Sequence, residues 1–337
     1  MADRYAYVPL IGIFVMTAWG LADLAEAEAV STVWRVIPAL CVLVPLSFVT
    51  ARQLRYWDND YDLWSHTLVV TERNAFAHDS VGAAIMDPDA AMTPHDRENL
   101  DTEQKRMDAA RKHYEEALKI HRQLAQQDPD AYLPYLANTL INLGNHDRMQ
   151  KRMDEAREHY EEALKILRQL TQQDPDVYLP YLAMTLNDLG ILDGIQNRTD
   201  DARRHYEEAL RFYQQLAQQN ADAYLPYLAV TLNDLGNLDG IQNRTDDARR
   251  HYEEALRSYR QLAQQKPDAY LWYVAATLNN LGVLDRNQNR LEESRAHYQE
   301  ALMLFRKLSQ SDPSKYAGDV ARVEASLEEL DEKAPSQ

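Results

Sequence analysis

Residues 251–256 read HYEEAL. The same six letters stand at 113–118, 159–164 and 205–210, and HYQEAL stands at 297–302. Each copy begins 46 residues after the one before it. A long, equal period marks stacked supersecondary units, because one such unit cannot bury its apolar face alone. The word itself is short, so its surroundings decide what is being repeated.

A first segment opens each period with a tyrosine, at Tyr132, Tyr178, Tyr224, Tyr270 and Tyr316. It reads YLPYLA in the first three copies and YLWYVA at Tyr270, then runs through Thr-Leu to a Leu-Gly pair. Tyr224, Leu228, Leu232 and Leu235 step by four, four and three, so they share one face of a helix. In a second segment Ala248, Tyr252, Ala255 and Leu256 do the same. The polar run NRTDD (243–247) separates the two. Thr245 is the expected N-cap of the second helix, and Asp246 and Asp247 suit its positive end. Pro129, Pro175, Pro267 and Pro313 are expected to end second helices, since a proline pushes the residue before it out of the helical region. Each period is thus two amphipathic helices. The Tyr, Ala and Leu of HYEEAL pack, its two glutamates face water, and its histidine lies on the surface or rim. A shared metal site is excluded by spacing. Equivalent histidines lie two helix widths apart, roughly 20 Å, against ligand distances of about 2 Å.

A Leu-Gly pair, an Ala twelve residues after the Gly, a Tyr four further on and an Ala three beyond that resemble the tetratricopeptide repeat (TPR). The spacing holds at Gly144/Ala156/Tyr160/Ala163, Gly190/Ala202/Tyr206/Ala209 and Gly236/Ala248/Tyr252/Ala255; Gly282/Ser294/Tyr298/Ala301 differs by one residue. The resemblance implies an all-α TPR solenoid of antiparallel helix pairs that binds a protein or peptide. Two departures stand out. The units exceed the usual length of about 34 residues, which longer helices would absorb. The aromatic usual three residues after the Gly is Asp147, Asp193, Asp239 or Asp285. Recurring Asp beside recurring Arg suggests ion pairs repeated between units.

The ends differ from this array. Residues 5–22 carry no charge, and residues 30–50 carry only Arg35. Both runs approach the roughly 20 apolar residues of a membrane-spanning helix, with Tyr5, Tyr7, Trp19 and Trp34 at their ends where interfacial aromatics belong. The expectation is a transmembrane helical hairpin within residues 1–52, anchoring the chain in a bacterial inner membrane through residues 5–50. A secretory signal cleaved near Ala25–Ala29 competes with it; the weakly basic start and the second apolar run speak against that. Residues 53–100 read as a linking helix, a degenerate first repeat around Gly82 and a Pro- and Asp-rich inserted loop. The array spans 101–312, and 313–337 is a capping helix with one wet face and a tail. Residues 3–75 also resemble the last spans of bacterial protein O-mannosyltransferase-like membrane proteins that end in TPRs. That resemblance implies an accessory or carboxyl-terminal part of a glycosyltransferase-like protein, with repeats outside the cytoplasm. Arg4, Arg52 and Arg55 against Arg35 lean the other way, and the side stays open.

Net charge of −17 excludes nucleic acid as a partner, since phosphate binding needs clustered Lys and Arg. Cys41 is the single cysteine, which allows no internal disulfide and no cysteine metal site. Phosphate loops, GxSxG, HExxH and Cys-His pairs are missing from the sequence, so no enzyme activity, catalytic residue, cofactor or metal is expected. Asn197-Arg198-Thr199 and Asn243-Arg244-Thr245 fit a glycosylation pattern, but a helix cap explains the Thr more simply. By analogy with TPR proteins, the groove would be lined by Asn187, Asn233 and Asn279, with Asn145, Ile191, Asn237 and Val283 one turn along. An Asn can hold an extended backbone with both donor and acceptor. Lys and Arg are scarce there, which argues against capture of a terminal carboxylate. The reading is a membrane-anchored scaffold for protein–protein interaction.

Overall fold

The computed structural model describes residues 44–52, 54–57, 59–71, 73–87 and 102–333, together with Cys41 and Leu100. Both expected membrane spans fall outside them, apart from the last residues of the second; residues 44–52 are helical. Among the described residues no helix is long and apolar enough to cross a membrane. The inserted loop also lies mostly outside them.

Two compact units divide the chain at Ala110/Arg111. In the first, a 3-10 turn at Arg55–Trp57 precedes α1 (Asp60–Val70) and α2 (Ala75–Met86), which pack together. Asn59 and Asn74 cap them, each side chain accepting from the backbone N–H three residues on. Trp64 and Phe76 meet edge to face at 5.0 Å.

The second unit is the repeat array. It takes in most of α3 (Glu103–Gln127), then α4 (Pro129–Met149), α5 (Met153–Gln173), α6 (Pro175–Ile195), α7 (Thr199–Gln219), α8 (Ala221–Ile241), α9 (Thr245–Gln265), α10 (Pro267–Asn287), α11 (Leu291–Ser311) and α12 (Pro313–Lys333). From α4 on, every helix has 21 residues, which is where the extra length of each unit goes. From α4 on, consecutive helices pack against one another, and the first helices α4, α6, α8 and α10 also touch in succession. Even-numbered helices are the first of each pair, odd-numbered the second.

The Leu-Gly signature has a steric cause. A Cβ placed on Gly144, Gly190, Gly236 or Gly282 would stand 2.6 Å from the ring of Tyr160, Tyr206, Tyr252 or Tyr298. No side chain fits, so the tyrosine of the second helix lies flat on bare backbone of the first. The second helix then packs onto the next unit: Ala202 and Tyr206 bury against Leu235 and Leu238, and Ala156 and Tyr160 against Leu189 and Leu192. Every alanine of the signature is fully buried.

The connections correct three expectations. Thr245 is not the cap. Arg244 is the N-cap residue and makes no side-chain cap bond, as Arg152, Arg198 and Arg290 do not at their helices. The preceding helix decides this. Lys151, Asn197, Asn243 and Asn289 adopt left-handed φ of 57–59°. The Asn243 N–H reaches Gly240 O at 3.2 Å and the Arg244 N–H reaches Asp239 O at 2.8 Å, which is a Schellman ending. That ending uses up the turn, and Thr245 enters the first turn of α9. Second, the prolines do not merely stop second helices. Pro129, Pro175 and Pro267 occupy the start of the following helix, where the missing N–H costs nothing. The first helix therefore begins three residues before its tyrosine. Asp128, Asp174 and Asn220 supply the caps, each side chain accepting an N–H at 3.1–3.4 Å. Third, the second glutamate of HYEEAL is not simply in water. Glu162, Glu208 and Glu300 pair with Arg122, Arg168 and Arg260 of the preceding unit at 2.5–2.9 Å.

Candidate functional site

Two polar systems recur with the period, and both sit on the first helices. One is closed. Asp147, Asp193, Asp239 and Asp285 are fully buried where the TPR aromatic would stand. Each carboxylate receives an arginine from the preceding second helix: Arg111, Arg157, Arg203 and Arg249 respectively. Its other oxygen faces Nδ1 of the HYEEAL histidine of its own unit, His159, His205, His251 or His297, at 2.7–3.0 Å. Three helices meet at each carboxylate. For Asp193 and Asp239, burial alone would raise the carboxyl, but the hydrogen bonds from histidine and arginine and the guanidinium charge outweigh it, and both carboxyls are held below the usual range. The histidines are therefore half-buried junction residues, not rim residues. Among the described residues no group of side chains is arranged to hold a metal.

The other system is open. On the first helices it begins with Tyr135, Tyr181, Tyr227 and Tyr273, all exposed. One turn along stand Asn138, Met184, Val230 and Ala276, and the next turn carries Asn142, Asp188, Asp234 and Asn280. The far edge is apolar again, with exposed Met149, Ile195 and Ile241. Three exposed tyrosines rest on buried rings of the neighbouring second helix, the first being Tyr135 on His121 at 5.8 Å. Tyr227 stacks on Tyr213 at 5.6 Å, and Tyr273 on Tyr259 at 5.1 Å.

The expected groove residues divide. Asn187 is committed at both ends: its Oδ1 accepts from Thr231 at 2.8 Å and its amide serves the Asp234 carboxylate. Asn233 Oδ1 accepts from Thr277 and Asn280, each at 3.4 Å. Asn145 and Asn237 accept from the hydroxyls of Tyr160 and Tyr252 at 2.7 and 2.9 Å. Ile191 packs against the core built on Tyr206 and Leu235. Val283 is half-buried. Asn279 differs from the rest: its Oδ1 is buried without a hydrogen-bond partner. Asn233 and Asn279 share the wall of a cavity of about 360 Å³ with Asp234, Tyr259, Trp272 and Tyr273. So the asparagines mainly tie one first helix to the next, and only Asn233 and Asn279 reach this space.

Sequence reasoning missed Asp188 and Asp234. Each is half-buried and makes no ion pair within 4 Å among the described residues. Desolvation pushes their carboxyls up to about 6 and about 7. Arg148 of α4 pulls Asp188 part of the way back. Their signal was available: the register carries Asn in the first and last full units and Asp in the two between.

Family models for the tetratricopeptide repeat match residues 99–169 and 135–215 with one model, and 228–266 and 274–313 with another. The chain belongs to the TPR family. Solved structures similar to this TPR array include BtubC (BKLC) from P. vanneervenii, at 24% identity over 69% of this chain and 91% of that one, with a TM-score of 0.47. Pseudomonas aeruginosa pilF follows at 16% identity, 78% and 93% coverage and a TM-score of 0.43. YrrB, a TPR protein with an unusual peptide-binding site, is similar at 14% identity, 72% and 91% coverage and a TM-score of 0.38. No curated protein matches the sequence. The resemblance of residues 3–75 to O-mannosyltransferase-like proteins finds no support in these comparisons.

Proposed function

We propose that this TPR protein is a non-enzymatic scaffold that binds an extended segment of another protein along its first-helix face, and that residues 5–50 hold it in a bacterial inner membrane. The observation that carries the binding reading is the open face itself. It exposes tyrosines on one edge and aliphatic side chains on the other, with polar groups between. That is the composition of a recognition surface, where aromatic anchors flank groups that set register. A helical solenoid presents such a face as an extended concave surface. The two apolar runs, charged only at Arg35, support the anchor, because a hairpin of that length buries enough apolar surface to stay in the bilayer.

A photo-crosslinking residue at Tyr227 tests the face against one at Glu253, which is exposed on a second helix. Partner adducts formed from position 227 and not from 253 support the reading; adducts formed only from 253 reject it. A tag after Gln337 tests the anchor and its side. Protease access after the outer barrier alone is opened places the repeats outside the cytoplasm, access only after the inner membrane is breached places them within, and release of the chain by alkaline wash rejects the anchor.

A further inference from the structure

Two neighbouring units carry a constellation that the others lack. Asp188 stands with Tyr213 and Tyr227, and 46 residues later Asp234 stands with Tyr259 and Tyr273. The same register reads Asn142, Leu167 and Tyr181 in the unit before, and Asn280, Phe305 and Asp319 in the unit after. In each of the two, a buried tyrosine backs an exposed one in a near-parallel stack, at 12° and 20° between planes. Both outer rings stay exposed, and Trp272 meets the Tyr273 ring at right angles at 5.1 Å. A half-buried carboxylate lies beside each stack, Asp188 by Tyr213 and Asp234 by Tyr259, and neither forms an ion pair within 4 Å among the described residues, although the Arg148 charge reaches Asp188 from further off. An electron-rich ring face next to a desolvated carboxylate is the environment that holds a guanidinium or ammonium group.

We infer that the first-helix face of α6, α8 and α10 takes a polypeptide segment bearing two basic side chains, one against Asp188 and the Tyr213/Tyr227 stack and one against Asp234 and the Tyr259/Tyr273 stack. The inference rests on the groove reading above and names the chemistry of its occupant. The cavity of about 360 Å³ supplies the room at the second position, lined by Asp234, Tyr259, Trp272, Tyr273 and Asn279. Arg322 on its rim is already tied to Asp319 at 2.8 Å, so it does not neutralise Asp234. Asn279 lines the same wall, with its Oδ1 buried and unpartnered. The chain's net charge of −17 favours a basic partner over an acidic one. Spacing follows from the period. Successive first helices touch one another directly, so equivalent positions on them lie one interaxial distance apart, roughly 10 Å, closer than the two helix widths reckoned for the second-helix histidines. A polyproline-II segment advances about 3.1 Å per residue and returns a side chain to the same side every third residue. The two basic residues therefore stand at i and i+3.

The test uses the full chain in detergent or nanodiscs and fluorescent, end-blocked peptides. One carries Arg-Ala-Ala-Arg flanked by Gly and Ser; its counterpart carries Glu in place of both Arg. Anisotropy titration should show the Arg peptide binding at least about tenfold tighter. The double variant Asp188→Asn/Asp234→Asn should lose at least about tenfold of that affinity. Asp200→Asn/Asp246→Asn removes the same charge from exposed helix starts and should leave affinity within about twofold. Equal binding of the two peptides overturns the inference, as does equal loss in both double variants, which would make the attraction one of net charge. Crosslinking at Tyr227 to a partner, combined with no preference for the Arg peptide, would keep the groove and discard its basic occupant. A preference for the Arg peptide without adducts at 227 would discard both.

Discussion

Asp188 and Asp193 stand five residues apart on α6, and the protein pulls their carboxyls in opposite directions. Asp193 is fully buried, yet its carboxyl lies below the ordinary range, because His205 and Arg157 answer each oxygen. Asp188 retains some contact with solvent, yet desolvation raises its carboxyl to about 6, because no cation reaches it within 4 Å among the described residues. The same contrast repeats one unit later between Asp239 and Asp234. Burial alone therefore does not set a carboxylate's state; satisfaction does. One face of the first helix is finished within the array. The other is left with unmet demand, which is what a binding surface requires.

The largest effect should come from breaking the satisfied side. Asp239→Ala strands Arg203 and His251 at a junction of three helices. The expected cost is about 3–5 kcal/mol, as for removing one partner of a buried pair. Because a solenoid's stability is a sum over neighbours, hydrogen exchange should accelerate first in α7, α8 and α9; loss spread evenly along the array would count against a local junction.

A smaller effect should come from the unsatisfied side, with the opposite sign. The unfolded Asp234 titrates near 4, and the folded one near 7. Between those values the native state binds more protons than the unfolded chain, so this group lowers stability as pH rises through the window. Asn187, Tyr206, Tyr252 and Tyr259 interact with it, and the one cation lining the same cavity, Arg322, is tied to Asp319. Asp234→Asn should accordingly stabilise the array at pH 8 by about 1 kcal/mol, allowing for solvent screening, and leave it unchanged near pH 4. Asp239 behaves conversely: its depressed carboxyl contributes stability in full above about pH 4, lost as pH falls further. Thermal melts of the two variants across pH 4–8 should diverge; parallel curves would erase the distinction between the two sides.

The smallest effect marks the baseline. Arg260→Ala removes an exposed pair with Glu300 between units. The expected cost is below about 0.5 kcal/mol. A loss as large as that from Asp239→Ala would mean that surface pairs, not buried junctions, hold the units in register.

Much of this was readable from residues in a row. The Gly/Ala/Tyr/Ala spacing announced helix pairs because it records a steric need that only one packing satisfies: a tyrosine ring on bare backbone. The ion pairs between units were legible from Asp and Arg recurring with the period. The cap at Thr245 was misread because a Schellman ending, closed by Asn243 in the left-handed region, depends on the helix before it. HYEEAL was read as packing plus a wet face, and its histidine proved to be half of a buried contact. The groove asparagines were chosen by register, which placed them on the first helices but could not show that Asn187 is consumed by Thr231 and Asp234.

By itself the sequence determined the repeat, its period, the two helices of each unit and the acidic balance, since all of these follow from spacing and composition along one chain. Only the tertiary structure decided which polar groups were answered and which were left open. That is set by what neighbouring helices bring to within about 3 Å, and partners such as Arg203 and Asp239 stand 36 residues apart in the chain.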